Sequence, residues 1–527
     1  MLKGFCRLFL IIFFAASTLS CGRDGARSDE NNVRNGGTLR YDVFLPIGNL
    51  NPAEEQPLSG ATAVFALLYS FLCVPNEHGE LEPDLADSWT YDPATFSWTI
   101  HIRTDALFHN KRRVTSDDIK YSLEAGLKNA RFSLFSKVDR ITALTDTSIG
   151  LTLKEHDPRF LEKIWYVEII PKPRPDDPIN LDHPIGSGPF KFSYRKGETE
   201  LGLEANPDFY FGRPRLDLVI FYYQSDPERS WANLLSGKTD IVHHLYPKDY
   251  EMIQKYQDRF YFNLRVVNRY ALLLFNTHDP LLSDSKVRLG LSYAINKDYI
   301  VKTILRGFGV VSVGPMGVNS PYHDPGVEAV PYSPKEGLRL LQEAGWSYDK
   351  EGRYLQKEGK YLEFTVLVVD EHQMGRRIAQ YLRISLNDLG VKVHLQSLPG
   401  DELVRRYWSN SEFQAVFTEF KGAYSDPEIL QILWSPCYGG ESVAGRFEHP
   451  EVTDLLNEAV HACDTNTKKE CFYKLDSLLT RLQPGIFLFH RVALDVMSKR
   501  ISIPFTFSLD YAQIHQLRLA TIRSKSR

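Results

Sequence analysis

Short alternating strands and amphipathic helices are mixed along the whole chain. Residues 96–103 (FSWTIHIR) alternate between apolar and polar positions, which predicts a strand with one buried face. A helix is expected to begin after Ser333, whose side chain should form a capping box with Glu336, and to end at Gly345. This mixture of the two periodicities predicts an α/β or mixed α+β chain.

Two further stretches predict how neighbouring elements are arranged. Thr115 is expected to cap a helix, with Asp118 three residues later. Residues 361–369 predict a strand, 373–389 an amphipathic helix and 391–395 a second strand. Because a strand–helix–strand unit of this kind returns the chain in the same direction, parallel pairing of its two strands is expected.

The length of the chain predicts several lobes. The chain has 527 residues, and single cores stop growing at about 250–300 residues. Breaks are indicated by the five prolines of residues 171–184, by the start of a strand near Arg269 and by Pro484-Gly485. If each break is a crossing, the chain passes between lobes more than once, as in proteins whose lobes share a hinge.

Composition and motifs exclude several functional classes. Hydrophobic residues make up 43% and charged residues 24%, with a net charge of −4, which is typical of a globular protein and argues against nucleic-acid binding. No phosphate-binding loop, zinc-protease motif or serine-hydrolase elbow occurs. The carboxylate pairs Asp117-Asp118 and Glu54-Glu55 are better explained as solvated charge than as glycosidase acids. No catalytic residue, metal site or cofactor is therefore expected.

The first residues predict export. Residues 1–21 have a positive start, a short apolar run and a small polar end, which is the pattern of a secretory signal. Its end, Leu19-Ser20-Cys21, resembles a bacterial lipoprotein box, in which Cys21 would carry the lipid. The alternative is plain secretion with Cys21 as an incidental thiol. Residues 22–36 are polar and are expected to form a flexible tether.

Cysteine usage leaves two alternatives. Cys463 and Cys471 flank a polar turn between two helical patterns, so a disulfide between them is one reading. Buried free thiols are the other. No cysteine and histidine spacing of a metal site occurs.

Seven segments resemble, in the same order, the substrate-binding lipoproteins of ABC importers for oligopeptides, dipeptides and nickel. They run from LEPDLADSW near the N-terminus to a helix that ends in Ala-Gly-Trp. The segments are 81–89, 108–118, 184–190, 206–214, 236–240, 275–297 and 333–346.

The resemblance implies a periplasmic-binding-protein fold with three lobes, two of which close on a ligand about a hinge. The expected bounds are 37–74, 184–270 and 490–527 for lobe I, 75–183 for the inserted lobe II and 271–489 for the ligand-closing lobe III.

The resemblance also implies a function in ligand binding without catalysis. The chain would be a monomer that captures short peptides in the cleft between lobes and delivers them to a membrane permease and its ATPase. It would act in the periplasm or on the outer face of the bacterial cell membrane, attached through lipid alone. One alternative ligand is a nickel chelate or another small nutrient. A hydrolase, or a surface adhesion or sensing protein on the same scaffold, is a second alternative.

One segment departs from the pattern of the peptide-binding members. Those members usually carry an Asp that pairs with the free amino group of the ligand. Aligning the Asp-Pro ends places Ala423 at that position. A buried ammonium without a carboxylate partner costs several kcal/mol. The usual carboxylate that binds the ligand amine is therefore absent unless Glu419 or Asp426 replaces it. The candidate ligand-binding residues are Glu419, Phe420, Lys421, Ala423, Tyr424, Ser425 and Asp426.

Nickel-binding relatives hold their metal through a chelator and a histidine. The nearest histidine downstream of this segment is His449, which lies in a polar stretch and is expected at the surface.

Overall fold

A computed structural model gives the fold. It describes residues 33–34, 36–54, 61–76, 80–127, 137–174, 183–245, 254–318, 320–370, 373–421, 428–435, 446–462, 464–503 and 514–523.

Strands occur from one end of the described chain to the other. They are β1 (Val33–Arg34), β2 (Thr38–Val43), β3 (Cys73–Pro75), β4 (Leu81–Pro83), β5 (Ala86–Asp92), β6 (Ser97–Ile102), β7 (Val138–Thr145), β8 (Ser148–Leu153), β9 (Phe190–Lys196), β10 (Glu200–Ala205), β11 (Leu218–Tyr223), β12 (Ile241–Leu245), β13 (Phe260–Phe275), β14 (Gly309–Val311), β15 (Ser347–Tyr348), β16 (Leu355–Lys357), β17 (Lys360–Tyr361), β18 (Glu363–Val369), β19 (Lys392–Leu398), β20 (Ala415–Lys421), β21 (Gly485–Ser498), β22 (Ile501–Ser502) and β23 (Thr521–Arg523).

Helices alternate with these strands. The α-helices are α1 (Ala61–Leu68), α2 (Ser116–Leu127), α3 (Phe160–Ile164), α4 (Pro227–Leu235), α5 (Ser285–Tyr293), α6 (Lys297–Tyr299), α7 (Pro334–Glu343), α8 (Gln373–Asp388), α9 (Gly400–Val404), α10 (Glu428–Trp434), α11 (Pro450–His461) and α12 (Thr465–Leu482). Single π-helical turns follow α6 (Ile300–Ile304) and α9 (Arg405–Ser409), and 3₁₀ turns cover Gln254–Tyr256 and Gln516–Leu519. The expected mixed α/β class is confirmed.

The largest sheet joins two halves of the molecule. Its order is β19-β18-β20-β13-β21-β12-β2-β11-β10-β9, and β14 pairs with β21. We call β18, β19 and β20, together with the chain that packs on them, the β18 half. We call β2, β9, β10, β11 and β12, together with the chain that packs on them, the β2 half. The long strands β13 and β21 pair with each other and connect the two halves, because β13 also pairs with β20 and β21 with β12.

The two connecting strands change register where they pass between the halves. The pairing of β13 with β21 shifts between Val266 and Tyr270. A bulge of this kind bends the strand and increases its local twist. This crossing region, which we define as residues 265–271 of β13 and 489–495 of β21, is therefore where one half can be reoriented against the other.

Each half has its own apolar core. Around the β2 half, α1 and the C-terminal residues pack on Leu39, Tyr41 and Phe221. The β18 half is covered on both faces: Val366 of β18 belongs to one cluster and its neighbour Leu367 to another. Successive residues of a strand point to opposite faces, so this half lies inside a layer on each side.

A separate four-stranded sheet, β5-β6-β8-β7, forms a third core with α2 and α3. We call residues 80–174 around this sheet the small-sheet unit. Its buried side chains include Ile100, Leu123, Leu151 and Phe160.

Several local predictions are confirmed. β6 matches the alternating stretch 96–103, and α2 begins after Thr115, whose backbone N–H and hydroxyl both donate to Asp118. β18 and β19 are parallel and flank α8, as the strand–helix–strand pattern predicts.

Two local predictions are wrong. Ser333 makes no side-chain cap bond at the start of α7. The reciprocal bond of the capping box is missing too, because Arg339 holds the carboxylate of Glu336 and the N–H of Ser333 donates to the carbonyl oxygen of Tyr293. The last part of the expected tether is also ordered: β1 (Val33–Arg34) pairs antiparallel with β23. Residues 1–32, which include the signal and Cys21, lie outside the described residues.

Candidate functional site

The candidate ligand-binding segment begins at the end of β20, beside the crossing region. Lys421, the last residue of this strand, is the register partner of Arg269 on β13. The chain resumes in α10 at Glu428. Ala423, Tyr424, Ser425 and Asp426 lie outside the described residues, so the structure gives the place where this loop starts and ends.

Glu419 already has a cationic partner within the chain. It lies on β20 opposite Ala271, and its carboxylate forms an ion pair with the guanidinium of Arg491 on β21. The side chains are 19% and 29% exposed, so the pair borders solvent at the crossing region. Because Arg491 compensates its charge, a ligand amine would have to compete for this carboxylate.

Phe420 points to the opposite face of the sheet. It is 6% exposed, and its ring centroid lies 6.1 Å from those of Tyr270 and Trp408. Trp408, in the π-helical turn after α9, is 39% exposed. Trp408 is therefore the ring of this aromatic cluster that reaches solvent, close to the loop that follows Lys421.

Sequence reasoning missed Trp408. Its neighbourhood in the sequence, RRYWS, carries no motif, and its place beside Phe420 arises from two separate elements. A tryptophan in a strongly polar stretch is the only signal that the sequence offers.

A second polar cluster lies on the β2 side of the crossing region. Nδ1 of His243 is 2.9 Å from Oδ1 of Asp495, and Nε of Arg265 donates to Oδ2 at 2.7 Å. Burial alone would raise the pKa of Asp495, but the hydrogen bonds and charges of His243 and Arg265 hold it below its usual value. Strands β12, β13 and β21 are thus connected by these side-chain interactions as well as by their backbone hydrogen bonds.

His490 is the buried polar group at the centre of the crossing region. Its Nδ1 lies 3.2 Å from the carbonyl oxygen of Arg269, and its Nε2 lies 3.2 Å from Oγ of Ser312. Burial lowers the pKa of His490 to about 4. Ser312 is fully buried and its hydroxyl lies 2.7 Å from the carbonyl oxygen of Gly314, so this serine–histidine contact is structural and not a nucleophile with its base.

The acidic pairs of the sequence have structural roles where the structure describes them. Asp118 is buried and accepts a hydrogen bond from Arg112 at 2.7 Å, while Asp117 lies 3.5 Å from Lys172. Among the described residues, no group of three or more metal-binding side chains comes together.

His449 is less exposed than the sequence predicts. It is half-buried, and its ring stacks at an interplanar angle of 8° on Phe447, which belongs to a core of the β18 half. The expected surface position is therefore met only in part, because one face of the ring packs on Phe447.

Cys471 is buried on α12. Burial raises its pKa, as do the nearby charge and hydrogen bond of Glu458. Cys463 lies outside the described residues, so the disulfide between these two residues stays a prediction.

Helices long and apolar enough to span a bilayer do not occur in the part of the chain that the structure describes.

Comparisons with known proteins give the same fold and one family. The oligopeptide-binding protein AppA of Bacillus subtilis is 26% identical over 519 residues, which cover 91% of this chain and 92% of that protein. The nickel-binding periplasmic protein of Escherichia coli is 23% identical, covering 83% of this chain and 85% of its own length.

Among solved structures, that of Bacillus subtilis AppA in complex with a nonapeptide has a TM-score of 0.77 at 23% identity. The match covers 93% of this chain and 100% of AppA. The expected fold of the periplasmic-binding-protein type is therefore confirmed. The family model of the bacterial extracellular solute-binding proteins, family 5, matches residues 80–442, more than half of the chain. The chain belongs to this family of bacterial extracellular solute-binding proteins.

Proposed function

We propose that this protein is the substrate-binding component of an ABC importer and that it captures short peptides between two lobes. The observation that carries the proposal is the end-to-end match to an oligopeptide-binding protein, which covers 91% of this chain. The partly exposed indole of Trp408, which packs on Phe420 near the loop after Lys421, supports it, because an aromatic ring packs on diverse peptide side chains.

The proposed lobes are those expected from the sequence. Lobe I comprises 37–74, 184–270 and 490–527, lobe II comprises 75–183, and lobe III comprises 271–489. The separate apolar cores of the β2 half, the small-sheet unit and the β18 half support this division. The ligand would lie between lobes I and III at the crossing region, where β13 and β21 supply the hinge.

The free amino group of a peptide would be held differently here. Ala423 stands where peptide-binding members carry an Asp, and Glu419 is paired with Arg491. Asp426 is then the acid of this segment left to serve as the anchor. Affinity would rest chiefly on hydrogen bonds to the peptide backbone, as in strand addition.

A nickel chelate is the second candidate ligand. The similarity to a nickel-binding periplasmic protein over 83% of the chain favours it. Catalysis is not part of the proposal, because the relatives named above are binding proteins and Ser312 and His490 are both buried.

The proposed location is outside the cytoplasmic membrane. Removal of residues 1–21 and lipid attachment at Cys21 would hold a monomer at the membrane surface, where it would meet its permease and ATPase.

Native mass spectrometry of the protein expressed from Gly22 onward tests the ligand class directly. Gentle purification followed by denaturation releases what the protein has bound. A spread of masses that fit short peptides is the expected result. A single metal-containing mass would replace the peptide proposal with the nickel-chelate one.

Calorimetry of Ala423→Asp tests the proposed loop alignment. The variant should bind peptides with free amino termini more tightly, because a carboxylate would face the ammonium. Ala423→Asn is the matched neutral control. Unchanged or weaker affinity of the Asp variant would contradict the alignment.

A further inference from the structure

Arg159 of the small-sheet unit contacts a residue of the β18 half. Its Nη1 donates to the hydroxyl oxygen of Tyr322 at 3.1 Å. In the proposed lobes, this hydrogen bond connects lobe II with lobe III. It therefore joins two parts of the molecule that hinge motion would separate.

The arginine is oriented before it meets the tyrosine. Arg159 stands at the start of α3, and its Nε donates to the carboxylate of Glu162 at 2.8 Å. The same helix is fixed by a buried ion pair, in which Nζ of Lys163 lies 2.6 Å from Oδ2 of Asp157. One edge of the guanidinium, formed by Nε and Nη2, is thus held by Glu162 within the small-sheet unit, while Nη1 points across to the other lobe.

The tyrosine is fixed on its own side as well. Tyr322 is 3% exposed, and its ring centroid lies 5.4 Å from that of Phe472 on α12. The next residue, His323, lies 3.4 Å from Asp476 on the same helix. The backbone N–H of Tyr322 is also bonded to Oγ of Ser320 at 3.2 Å. The hydroxyl group is therefore presented at a fixed position.

We propose that Arg159 and Tyr322 form a latch that favours the closed arrangement of lobes II and III. The latch rests on the proposed function, in which lobe III closes on a ligand. Because each partner is held by its own lobe, little side-chain entropy is lost when they meet. Arg159 remains 30% exposed, so water can replace the tyrosine when the lobes separate.

Lobe II thereby contributes to closure of the cleft although it does not enclose the ligand. Closure that is favoured by a contact outside the cleft raises the population of the binding-competent state. Loss of the hydrogen bond should lower the ratio of closed to open molecules by about tenfold at most.

Distance measurements between spin labels test the latch without any ligand. Labels at Leu144→Cys and Ile384→Cys report on lobes II and III, because both positions are strongly exposed. The chain starts at Gly22 and carries serine at Cys437 and Cys463, and Cys73 and Cys471 are buried. Electron–electron resonance then gives the distribution of distances between the two labels.

The variants Tyr322→Phe and Arg159→Gln each remove the hydrogen bond while Phe keeps the ring packing. Each should lower the ratio of the short-distance to the long-distance population by about three- to tenfold, and the double variant should lower it no further. The exposed residues Tyr332 and Arg140 supply the control variants Tyr332→Phe and Arg140→Gln, which should leave the distribution unchanged.

Two results would overturn the latch. One is a distribution that is the same in wild type and both single variants. The other is a double variant whose effect equals the sum of the two single effects, since independent residues behave in that way. Failure of the proposed function would be seen elsewhere, as a lack of bound peptide in native mass spectrometry, because these distances are measured without ligand.

Discussion

The small-sheet unit meets the rest of the molecule in two very different ways. Where it meets the β2 half, Asp84 is fully buried and accepts hydrogen bonds from the hydroxyl of Tyr210 at 2.5 Å and the backbone N–H of Phe71 at 2.9 Å. His515 lies 3.7 Å from the same carboxylate. Where the unit meets the β18 half, Arg159 donates one hydrogen bond to Tyr322 and stays partly exposed.

The difference indicates which parts move together. Burial alone would raise the pKa of Asp84, but His515, Tyr210 and the N–H of Phe71 hold it below its usual value. Such a group is costly to uncover, because the charge would lose several partners at once. Lobes I and II are therefore expected to behave as one rigid body, against which lobe III opens and closes.

Removal of the Asp84 carboxylate should weaken the contact between the small-sheet unit and the β2 half more than any other change described below. Asp84→Ala removes the acceptor that the Tyr210 hydroxyl and the N–H of Phe71 share and leaves the buried His515 without its carboxylate, so the free energy of unfolding should fall by about 3 kcal/mol. Urea denaturation measures it. Asp87→Ala, three residues further on at an exposed position, should change it by less than about 0.5 kcal/mol. Equal effects of the two variants would contradict the proposed joint.

A methyl group at Gly186 should also strain the contact between the small-sheet unit and the β2 half, because the N–H of Gly186 donates to His109 of that unit. A Cβ there would lie 1.9 Å from the carbonyl oxygen of Leu68, which is backbone and cannot rotate away. Gly186→Ala should therefore lower the free energy of unfolding by about 2 kcal/mol. In Gly150→Ala the new methyl would meet Leu144 at 3.4 Å, an ordinary contact, so this control should lose much less in the same denaturation experiment.

Acid should lower the free energy of unfolding through His109, which lies at the contact between the small-sheet unit and the β2 half. Nδ1 of this residue accepts from the N–H of Gly186, and Nε2 donates to the carbonyl of Gly188, both at 3.1 Å. Burial lowers the pKa of His109 from 6.5 to about 4. Between these values the unfolded chain binds more protons than the folded one, so the free energy of unfolding falls as the pH falls from 6.5 towards 4.

Replacement of His109 by Gln removes this proton uptake. The variant should show a loss of stability between pH 6.5 and pH 4 that is smaller than that of wild type by about 2–3 kcal/mol. Urea denaturation across this pH range measures it. The exposed His101 provides the control His101→Gln, which should retain the full acid dependence. An unchanged dependence in the His109 variant would exclude this histidine as its source.

Loss of the Tyr322 hydroxyl should have the smallest effect on stability. Tyr322→Phe keeps the ring against Phe472, so the free energy of unfolding should change by less than about 1 kcal/mol, again by urea denaturation. The same change should alter the closure of the lobes, as argued above. A loss as large as that of Asp84→Ala would mean that the contact is a permanent joint and not a latch.

Local patterns of the sequence predicted the elements but not these contacts. The strand at 96–103 and the parallel strands around α8 follow from periodicity, which is a property of neighbouring residues. The capping box at Ser333 failed, because Arg339 competes for Glu336. The ordered end of the tether was missed, because its partner strand β23 comes from the opposite end of the chain.

The candidate site was predictable only in part. The segment that starts at Glu419 was found through resemblance to a family, and its start lies beside the crossing region. Arg491 and the pair of Arg159 with Tyr322 lie far from this segment in sequence, and Trp408 lies on a separate element. Nothing in their local patterns predicts which residues they contact.

Two label distances, measured with and without short random-sequence peptides, test most directly whether lobe III moves against a rigid pair of lobes. One pair, Leu144→Cys with Ile384→Cys, reports on lobes II and III. The other, Leu144→Cys with the exposed Glu198→Cys, reports on lobes II and I. Peptides should shorten the first distance and leave the second unchanged. A change in the second distance, or no change in either, would contradict the account.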